Sequence, residues 1–395
     1  MTEIYLIRHT QAEGNRYRMM QGFWDGAVTE LGLRQAKSLG RRFAAVPLDA
    51  VYSSDLSRAV LTAEAVAGNR GLAVQKRTAL RELNIGPWEQ KFFGNLCQES
   101  PELTERFLHD SENWVLPGAE TFAQVRERGL RELTRIAEEN NGRTVAVVSH
   151  GATVRCMLSG ITGIPLSDAG RLPICKNTAV TKLQYEDGRF QVEYFNDDSH
   201  LAADEHSSWN TTGDLRDAPF DLEHGRARYE ACYADAWRAA HGTLRGFHAR
   251  TYYDAACRHQ AAAPGAVMRI YLREEPVGLV DLDPLRGKDE GIGWVSLLYL
   301  KESFRNLGYG IQLLGRAVFF YSDRDCLRLQ VAEENRAALR FYTREGFGTV
   351  DAQPSQNGAL LTLEKKLRHS GMPPQNLPCS GMPPAAGTVG GPYHV

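Results

Sequence analysis

The chain has 395 residues, of which 43% are hydrophobic and 24% charged, and its formal net charge at pH 7 is −2. This composition is that of an ordinary globular protein, the length predicts two or three domains, and the near-neutral charge argues against a general nucleic-acid surface. No apolar run approaches the ~20 residues of a membrane-spanning helix, no signal peptide is visible, and the seven cysteines form no CxxC pair, so we expect reduced thiols, no zinc site and a cytoplasmic protein.

The first predicted strand ends in three polar residues. Residues 4–7 are apolar with β-branched and aromatic character, which predicts a short buried strand. Arg8, His9 and Thr10 follow it, in the place where open α/β sheets bind their ligands. A cation, an imidazole and a hydroxyl group there suit an oxyanion such as a phosphoryl group, although a single histidine after a strand is more often structural.

Two further predicted strands end in a similar way. Residues 51–54 lead into a segment that carries Arg58, and residues 145–148 lead into His150 and Gly151. The glycine allows main chain to approach a ligand closely. Two histidines and two arginines at strand ends are hard to explain by packing alone.

These motifs resemble, in the same order, those of the histidine phosphatase superfamily, which has the phosphoglycerate-mutase-like fold. The resemblance covers the first ~200 residues and implies a three-layer α/β/α domain that needs neither a metal nor an organic cofactor. The matching segments are LIRHT at 6–10, SSDLSRAVLTAE at 53–64, LRELNIGPWE at 80–89 and VVSHGATVR at 147–155.

The residue types fit phosphoryl transfer, in which positioning and charge compensation dominate. A neutral His9 can attack phosphorus and carry the phosphoryl group as a covalent intermediate. Arg8 and Arg58 offer planar guanidinium groups that match phosphate oxygens. His150 adds a further donor, joined by the main-chain N–H of Gly151.

The leaving oxygen needs a proton, and Glu82 is our candidate for supplying it. The family resemblance implies the same roles for all these positions and adds Asn15 as a phosphate ligand. Taken singly, Arg58 is equally well explained as a salt-bridged helix residue and Glu82 as a solvated carboxylate. The family often has Gly-Glu after the histidine where this chain has Thr10 and Gln11, a departure that we expect to tune substrate choice.

A phosphatase acting on a small phosphorylated metabolite is favoured over a mutase. Mutases of this family carry a sizeable insertion after the acid. The corresponding segment of this chain, residues 89–117, is short and leads into a helix predicted over 122–139. A phosphoglycerate-mutase-type transferase is the alternative, and a non-catalytic phospho-ligand module is disfavoured because all expected catalytic residues are present. Five aromatic residues are candidates for lining the substrate entrance, although core packing is the expected use of most of them: Trp24, Trp88, Phe92, Phe93 and Trp114.

A predicted hairpin, with strands at 180–185 and 190–195, completes the first sheet. The polar stretch that follows predicts a linker, so the predicted organisation is a phosphatase domain over 1–197, a linker over 198–211, a second domain over 212–367 and a Pro/Gly-rich flexible tail over 368–395. That tail contains the sequence Ser-Gly-Met-Pro-Pro twice, beginning at 370 and 380.

The second half contains a glycine-rich turn between a strand and a helix. Glycines there free main-chain N–H groups at a helix N-terminus, which can hold an anion, although such turns are common. The turn is Arg305-Asn306-Leu307-Gly308-Tyr309-Gly310, and the surrounding prediction is helix 226–240, strands 266–272, 276–282, 293–300 and 327–332, and helices 311–321 and 336–344.

This set of elements resembles the GNAT family of N-acetyltransferases. The resemblance implies an α+β domain with a mixed, mostly antiparallel sheet, acetyl-CoA as cofactor and an amine as acceptor. It also implies that residues 305–310 hold the pyrophosphate, that the strand through Leu298 and Leu300 pairs with the pantetheine arm, that Asn335 contacts the cofactor and that Tyr342 protonates the leaving thiolate.

We therefore expect a bifunctional enzyme, a histidine phosphatase joined to an N-acetyltransferase. The alternative is a phosphatase whose second domain binds acetyl-CoA for regulation without catalysis. The sequence does not distinguish Asp281, Asp283 and Glu302 as the base, and it identifies neither substrate nor the oligomeric state.

Overall fold

The computed structural model describes residues 1–173, 175–207, 213–355 and 358–367. The chain divides into two compact units, residues 1–209 and 210–395. The predicted flexible tail lies outside the described residues. Among the residues that are described, no helix is both long enough and apolar enough to cross a bilayer.

The first unit is built on a six-stranded sheet with the order β3-β2-β4-β1-β5-β6. Strands β1 to β4 pair in parallel, whereas β5 runs antiparallel to β1 and β6 antiparallel to β5. The strands are β1 (Thr2–Arg8), β2 (Ala50–Ser53), β3 (Val74–Lys76), β4 (Thr144–Ser149), β5 (Val180–Glu186) and β6 (Arg189–Asp197).

Helices cover both faces of this sheet, which confirms the predicted three-layer α/β/α architecture. The helices are α1 (Glu13–Tyr17), α2 (Glu30–Phe43), α3 (Ser57–Ala67), α4 (Phe93–Glu99), α5 (Pro101–His109), α6 (Phe122–Glu139) and α7 (Gly151–Thr162). Residues of α2 and α3 pack on one face of the sheet and residues of α6 and α7 on the other. Burial from both sides explains why β1 and β4 read as continuous apolar runs.

The parallel register brings the carboxyl ends of three strands to one edge. Arg8 of β1 pairs with Ser149 of β4, and Ser53 of β2 pairs with Val148 of β4. His9 and His150 come directly after β1 and β4 at this edge. The antiparallel strand β5 begins here too, since Val180 pairs with Ile7.

The first part of the predicted linker packs on the first unit. Leu201 and Glu205 are buried, and the Ser38 hydroxyl group of α2 donates a 2.7 Å hydrogen bond to Glu205 Oε2. The predicted domain bounds stay predictions, because residues 208–212 of the linker lie outside the described residues.

The second unit has the predicted mixed, mostly antiparallel sheet. Its order is β12-β13-β11-β10-β9-β8-β7, and within the described residues the one parallel pair is β10 with β11. The strands are β7 (Leu215–Pro219), β8 (Val267–Leu272), β9 (Glu275–Asp283), β10 (Ile292–Leu300), β11 (Cys326–Ala332), β12 (Gly348–Ser355) and β13 (Gly358–Lys366).

Four helices accompany this sheet: α8 (Leu222–His241), α9 (Ala249–Ala262), α10 (Gly310–Phe320) and α11 (Arg336–Arg344). An aromatic-rich core joins α8 and α9 to the sheet, with Tyr229, Tyr233 and Tyr252 all buried. The elements that the sequence analysis did not predict include α1, which it took for a loop, and α4, α5, α9, β3, β7, β12 and β13.

Candidate active sites

His9 is buried, and its Nδ1 lies 2.6 Å from the main-chain oxygen of Thr10. Because a carbonyl oxygen can only accept, Nδ1 carries the proton and the lone pair resides on Nε2. Burial lowers the pKa of His9 well below its ordinary value of 6.5, and the positive charges of Arg58 and Arg8 lower it further. The ring is therefore neutral near pH 7, which is the form that acts as a nucleophile.

Arg8 and Arg58 are also buried and lie close enough to His9 to lower its pKa. Burial lowers the pKa of Arg58 to about 10 against the opposing effect of Asp25, so the side chain remains charged near pH 7. Within the described part of the chain, the Nε atoms of both arginines are buried without a hydrogen-bond partner. Each therefore has an N–H group with no acceptor, which an oxyanion would supply.

Arg58 also holds a loop beside the site, residues 22–25. Its Nη2 donates to the Gly22 oxygen at 2.8 Å and its Nη1 to the Trp24 oxygen at 2.9 Å. The loop's N–H groups face the other way, and those of Gly22, Phe23 and Trp24 all donate to the carboxylate of Glu89, at 3.2, 2.7 and 2.9 Å. The sequence analysis missed Glu89 although it lies in the LRELNIGPWE motif.

His150 immediately precedes α7, and its ring centroid lies 5.0 Å from that of His9. Both of its ring nitrogens are buried without a hydrogen-bond partner among the described residues. The pKa of His150 lies well below 6.5. Burial is the largest cause, and the positive charge of Arg58 is the next largest. Gly151 lies against Arg8, since an added Cβ would be 3.3 Å from the guanidinium carbon.

Glu82 lies at the N-terminus of α7. Its Oε1 accepts from Leu83 N at 3.0 Å, Thr153 N at 3.1 Å and Thr153 Oγ1 at 3.2 Å. Its Oε2 accepts, among the described residues, only from Ala152 N at 3.2 Å. The negative charge of Glu82 raises the pKa values of both Arg8 and Arg58, which places it in the same cluster. The structure thus brings Arg8, His9, His150 and Arg58 of α3 together with the candidate acid.

Asn15 lies at the edge of this cluster, in α1. Its Oδ1 accepts from Ala12 N at 3.1 Å and from Asn177 Nδ2 at 3.4 Å. Asn177 also donates to the His9 main-chain oxygen at 3.0 Å. The sequence analysis missed Asn177, and its position before the predicted strand at 180–185 was the available signal.

The side chains of Thr10 and Gln11 bond to residues at the start of α2, and the expectation that they tune substrate choice stays a prediction. The Thr10 hydroxyl group bonds to the Gly32 oxygen and lies 3.2 Å from Gln35 Oε1. Gln11 accepts from the Thr29 hydroxyl group at 2.8 Å. Both side chains therefore link the start of α2 to the end of β1.

The aromatic residues of the first unit divide between core and surface. Trp88, Phe92 and Trp114 are buried, and Trp88 and Trp114 belong to a cluster with Phe122. Trp24 and Phe93 are half-buried. Core packing thus explains most of these residues, as expected.

In the second unit, the parallel pairing of β10 with β11 covers only four residues. It runs from Ile292 with Cys326 to Val295 with Leu329, although the strands continue to Leu300 and Ala332. The pairing of β10 with β9 shifts register between Val295 and Leu297. Leu298 and Leu300 lie beyond this shift, on the part of β10 that β11 does not pair with.

The turn before α10 has two residues with positive φ, Asn306 at 60° and Gly308 at 85°. Arg305 is engaged within the protein, since its Nε donates to the Leu300 oxygen and its Nη2 to Asp235 Oδ2, both at 2.8 Å. Leu307 is exposed and Tyr309 buried, and α10 begins at Gly310. Any anion at this turn is therefore expected to meet main-chain N–H groups before the Arg305 side chain.

Tyr342 and Asn335 lie on α11, next to this turn. Tyr342 is buried between Phe341 and Phe347, and burial raises its pKa, so it keeps its proton at neutral pH. The Asn335 side chain caps α11 by accepting from Ala338 N at 3.1 Å. The start of α10 lies against α11, since an added Cβ on Gly310 would be 3.4 Å from the Phe341 ring.

The three candidate bases differ in their surroundings. Asp281 is fully buried, with its two oxygens 2.7 Å from Tyr229 and His259. Asp283 is also buried and lies 3.4 Å from His259 Nε2, whereas Glu302 is exposed. The aspartates therefore belong to one buried ionic cluster.

Within the described residues there is no group of three or more His, Cys, Asp or Glu side chains that could hold a metal ion. The described cysteines are all free thiols.

Comparison with known families covers both units. Residues 4–198 match the model of the histidine phosphatase superfamily (branch 1). Residues 228–347 match that of the acetyltransferase (GNAT) family.

Individual relatives match the first half of the chain. A protein described as probable phosphoglycerate mutase GpmB from Salmonella choleraesuis is 29% identical over 208 residues, covering 51% of this chain and 96% of that protein. The structure of YhfR from Bacillus stearothermophilus is 33% identical, covers 51% of this chain and 99% of its own, and has a TM-score of 0.50. The structure of a mycobacterial glucosyl-3-phosphoglycerate phosphatase in complex with VO3 is 25% identical and has a TM-score of 0.47. The match covers 49% of this chain and 98% of that chain.

Proposed function

Because this chain belongs to the histidine phosphatase superfamily and carries a GNAT-family domain, we propose that it is a bifunctional enzyme. Its first activity is metal-independent hydrolysis of a small phosphomonoester through phosphohistidine. Its second is acetyl-CoA-dependent N-acetylation of a small amine.

The state of His9 carries the first proposal. Its Nδ1 is held by the Thr10 oxygen, and its pKa is lowered, so a neutral ring presents Nε2. Within the described residues, Arg8 and Arg58 have buried N–H groups without a partner beside it, and His150 has two ring nitrogens without one. This is the environment that a phosphoryl group with three anionic oxygens requires.

The reaction proceeds in two displacements. Nε2 of His9 attacks phosphorus, the bond from phosphorus to the ester oxygen breaks, and the leaving oxygen takes a proton from Glu82. Water then attacks the phosphoryl group, the P–N bond breaks, and Glu82 takes the water proton as phosphate leaves. Glu82 Oε2, which accepts a single hydrogen bond from the part of the chain that the structure describes, is the oxygen that we assign to both proton transfers.

The test is phosphate release from a panel of phosphomonoesters in EDTA. We expect release by the parent protein and by His109→Ala, a control at an exposed histidine, and none by His9→Ala. The parent should also form an acid-labile phosphoenzyme that His9→Ala does not form. Equal release by the parent and His9→Ala would disprove the phosphohistidine route.

A mutase activity is the second candidate for this site, because the GpmB relative is described as a probable phosphoglycerate mutase. The same panel should include 3-phosphoglycerate, with its conversion to 2-phosphoglycerate measured beside phosphate release. Isomerisation faster than hydrolysis would favour the mutase.

The second activity rests on the GNAT match and on the arrangement around Tyr342. Bound acetyl-CoA would supply the acetyl group as a thioester. Tyr342 would donate its proton to the leaving thiolate and recover a proton from solvent water, and the proton lost by the acceptor amine would pass to solvent water. Acetyl-CoA would lie along β10 beyond Val295, with its pyrophosphate at the turn before α10. The short pairing of β10 with β11 and the positive-φ residues of the turn support this proposal.

Acetyl transfer to a panel of amines by the parent and by Tyr342→Phe tests this proposal. We expect Tyr342→Phe to lose transfer while it retains acetyl-CoA binding in calorimetry. Binding by the parent without transfer to any amine, including the products of the first activity, would support the regulatory alternative.

A further inference from the structure

Arg128 of α6 uses all five of its N–H groups inside the protein. Its Nη1 donates to the oxygens of Ala79 and Arg81, both at 2.8 Å, and its Nη2 to the Glu82 oxygen at 2.7 Å. Its Nε and Nη2 form a bidentate pair with Glu120, at 2.8 and 2.9 Å. Five donors in a planar fork are what only arginine provides.

The segment that carries the candidate acid has little regular structure of its own. A 3₁₀ turn covers Thr78–Leu80, and residues 81–85 lie outside helices and strands. Its carbonyl groups therefore need donors from elsewhere. Arg128 provides them at positions 79, 81 and 82.

Glu120 extends the support to the other side of the acid. Its Oε2 accepts from Asn84 N at 2.9 Å, and its own N–H donates to the Asn84 oxygen at 2.9 Å. The main chain is thus held both before and after Glu82. The Thr153 hydroxyl group, which bonds to Glu82 Oε1, also lies 2.8 Å from the Arg81 oxygen.

We infer that Arg128, held by Glu120, is a positioning residue that fixes the Glu82 carboxyl group for proton transfer to the leaving oxygen. This inference rests on the proposed role of Glu82. Arg128 does not act on the phosphoryl group, because all its N–H groups are bonded within the protein. Its loss should therefore affect the proton transfer and leave attack by His9 intact.

The leaving group of the substrate separates these two steps. A p-nitrophenolate ion leaves with little help from an acid, whereas an alkoxide leaves only with a proton. A small displacement of the acid should therefore reduce hydrolysis of an alkyl phosphate far more than that of p-nitrophenyl phosphate.

The experiment compares kcat/KM for both substrates in the parent, Arg128→Lys, Glu82→Gln and the double variant. For Arg128→Lys we expect a loss of about 10- to 100-fold with the alkyl ester and less than about 3-fold with the aryl ester. In the Glu82→Gln background, Arg128→Lys should cause no further loss with the alkyl ester. Arg131→Lys, at an exposed arginine of the same helix, should leave both values unchanged.

Equal losses of Arg128→Lys on both substrates, or losses that multiply in the double variant, would overturn the inference while the phosphatase assignment stands. Parent protein without His9-dependent release from either ester would overturn the phosphatase assignment and the inference with it. Circular dichroism checks that each variant folds. If Arg128→Lys does not fold, the same comparison of kcat/KM losses on the alkyl and aryl esters is made with Glu120→Gln.

Discussion

The imidazole rings of His9 and His150 lie 5.0 Å apart, both buried next to two arginine side chains. Burial is the largest cause that lowers both pKa values well below 6.5. In the unfolded chain the same rings take up protons as the pH falls through about 6.5. The unfolded state therefore binds more protons in acid, and the folded first unit loses stability as the pH falls below that value.

Replacing one ring should reduce this acid sensitivity. For His150→Asn we expect the free energy of unfolding to fall less steeply below pH 6.5, by up to about 1.4 kcal/mol per pH unit. Urea denaturation between pH 7 and 5 measures it, with His109→Asn as the exposed control. An unchanged slope in His150→Asn would contradict the assignment of a low pKa.

His259 should have the opposite effect in the second unit. Burial alone would lower its pKa, but the hydrogen bonds and charges of Asp281 and Asp283 outweigh burial and raise the pKa to about 9. The same interactions lower the pKa of Asp283 to about 2 against the effect of burial. Because the folded pKa of His259 exceeds the unfolded one, its stabilisation is complete below pH 6.5 and is lost as the pH rises through about 9.

For His259→Gln we expect this alkaline loss to disappear and the stability of the second unit at pH 6 to fall by roughly 3 kcal/mol, the equivalent of the shift in pKa. Denaturation of the full chain at pH 6 and 9 tests it, with His224→Gln as an exposed control. A parent protein equally stable at both values would contradict the raised pKa.

Glu89 should matter for turnover although it lies behind the loop and not in the cluster. An amide at this position can accept hydrogen bonds with one atom only and places N–H groups against the loop's own N–H groups. We expect Glu89→Gln to lower kcat/KM for phosphate release by about 10-fold, because a loop donor then lacks an acceptor. Glu99→Gln, at an exposed glutamate, should have no effect, and equal activity in both variants would rule out this function of Glu89.

Gly151 should tolerate no side chain without a cost to phosphate binding. A methyl group there would lie 3.3 Å from Arg8 Nε and Cζ, so the guanidinium group must move by a few tenths of an ångström. We expect Gly151→Ala to raise KM several-fold, which corresponds to a loss of binding free energy of less than about 1.4 kcal/mol. Gly170→Ala, where an added Cβ meets nothing within 4 Å, is the control, and a parent-like KM in Gly151→Ala would contradict the close approach.

The sequence predicted the strands and the residues at their ends because both leave local signals. Residues 4–7 and 145–148 are apolar runs, and β1 and β4 contain them. The helix predicted over 122–139 has the same bounds as α6, since Thr121 and Gln124 form a capping box at its start.

The missed parts depend on directions and partners that local patterns do not encode. Asn177 reaches the His9 main chain because β5 runs antiparallel to β1, and its sequence alone does not give that direction. Thr10 follows His9 directly in the sequence, yet its hydroxyl group donates to the Gly32 oxygen. The helices α4 and α5 were missed because they are short, with a Ser-Pro junction between them.

The loop 22–25 is fixed on one side by Glu89 and on the other by Arg58, through hydrogen bonds between groups of the protein itself. Ordering four residues removes conformational entropy equivalent to about 1–2 kcal/mol for each, and here that loss occurs during folding. The free energy of binding a phosphomonoester is therefore not reduced by loop ordering. A preorganised site of this kind can act on a small substrate that offers few contacts beyond its phosphate.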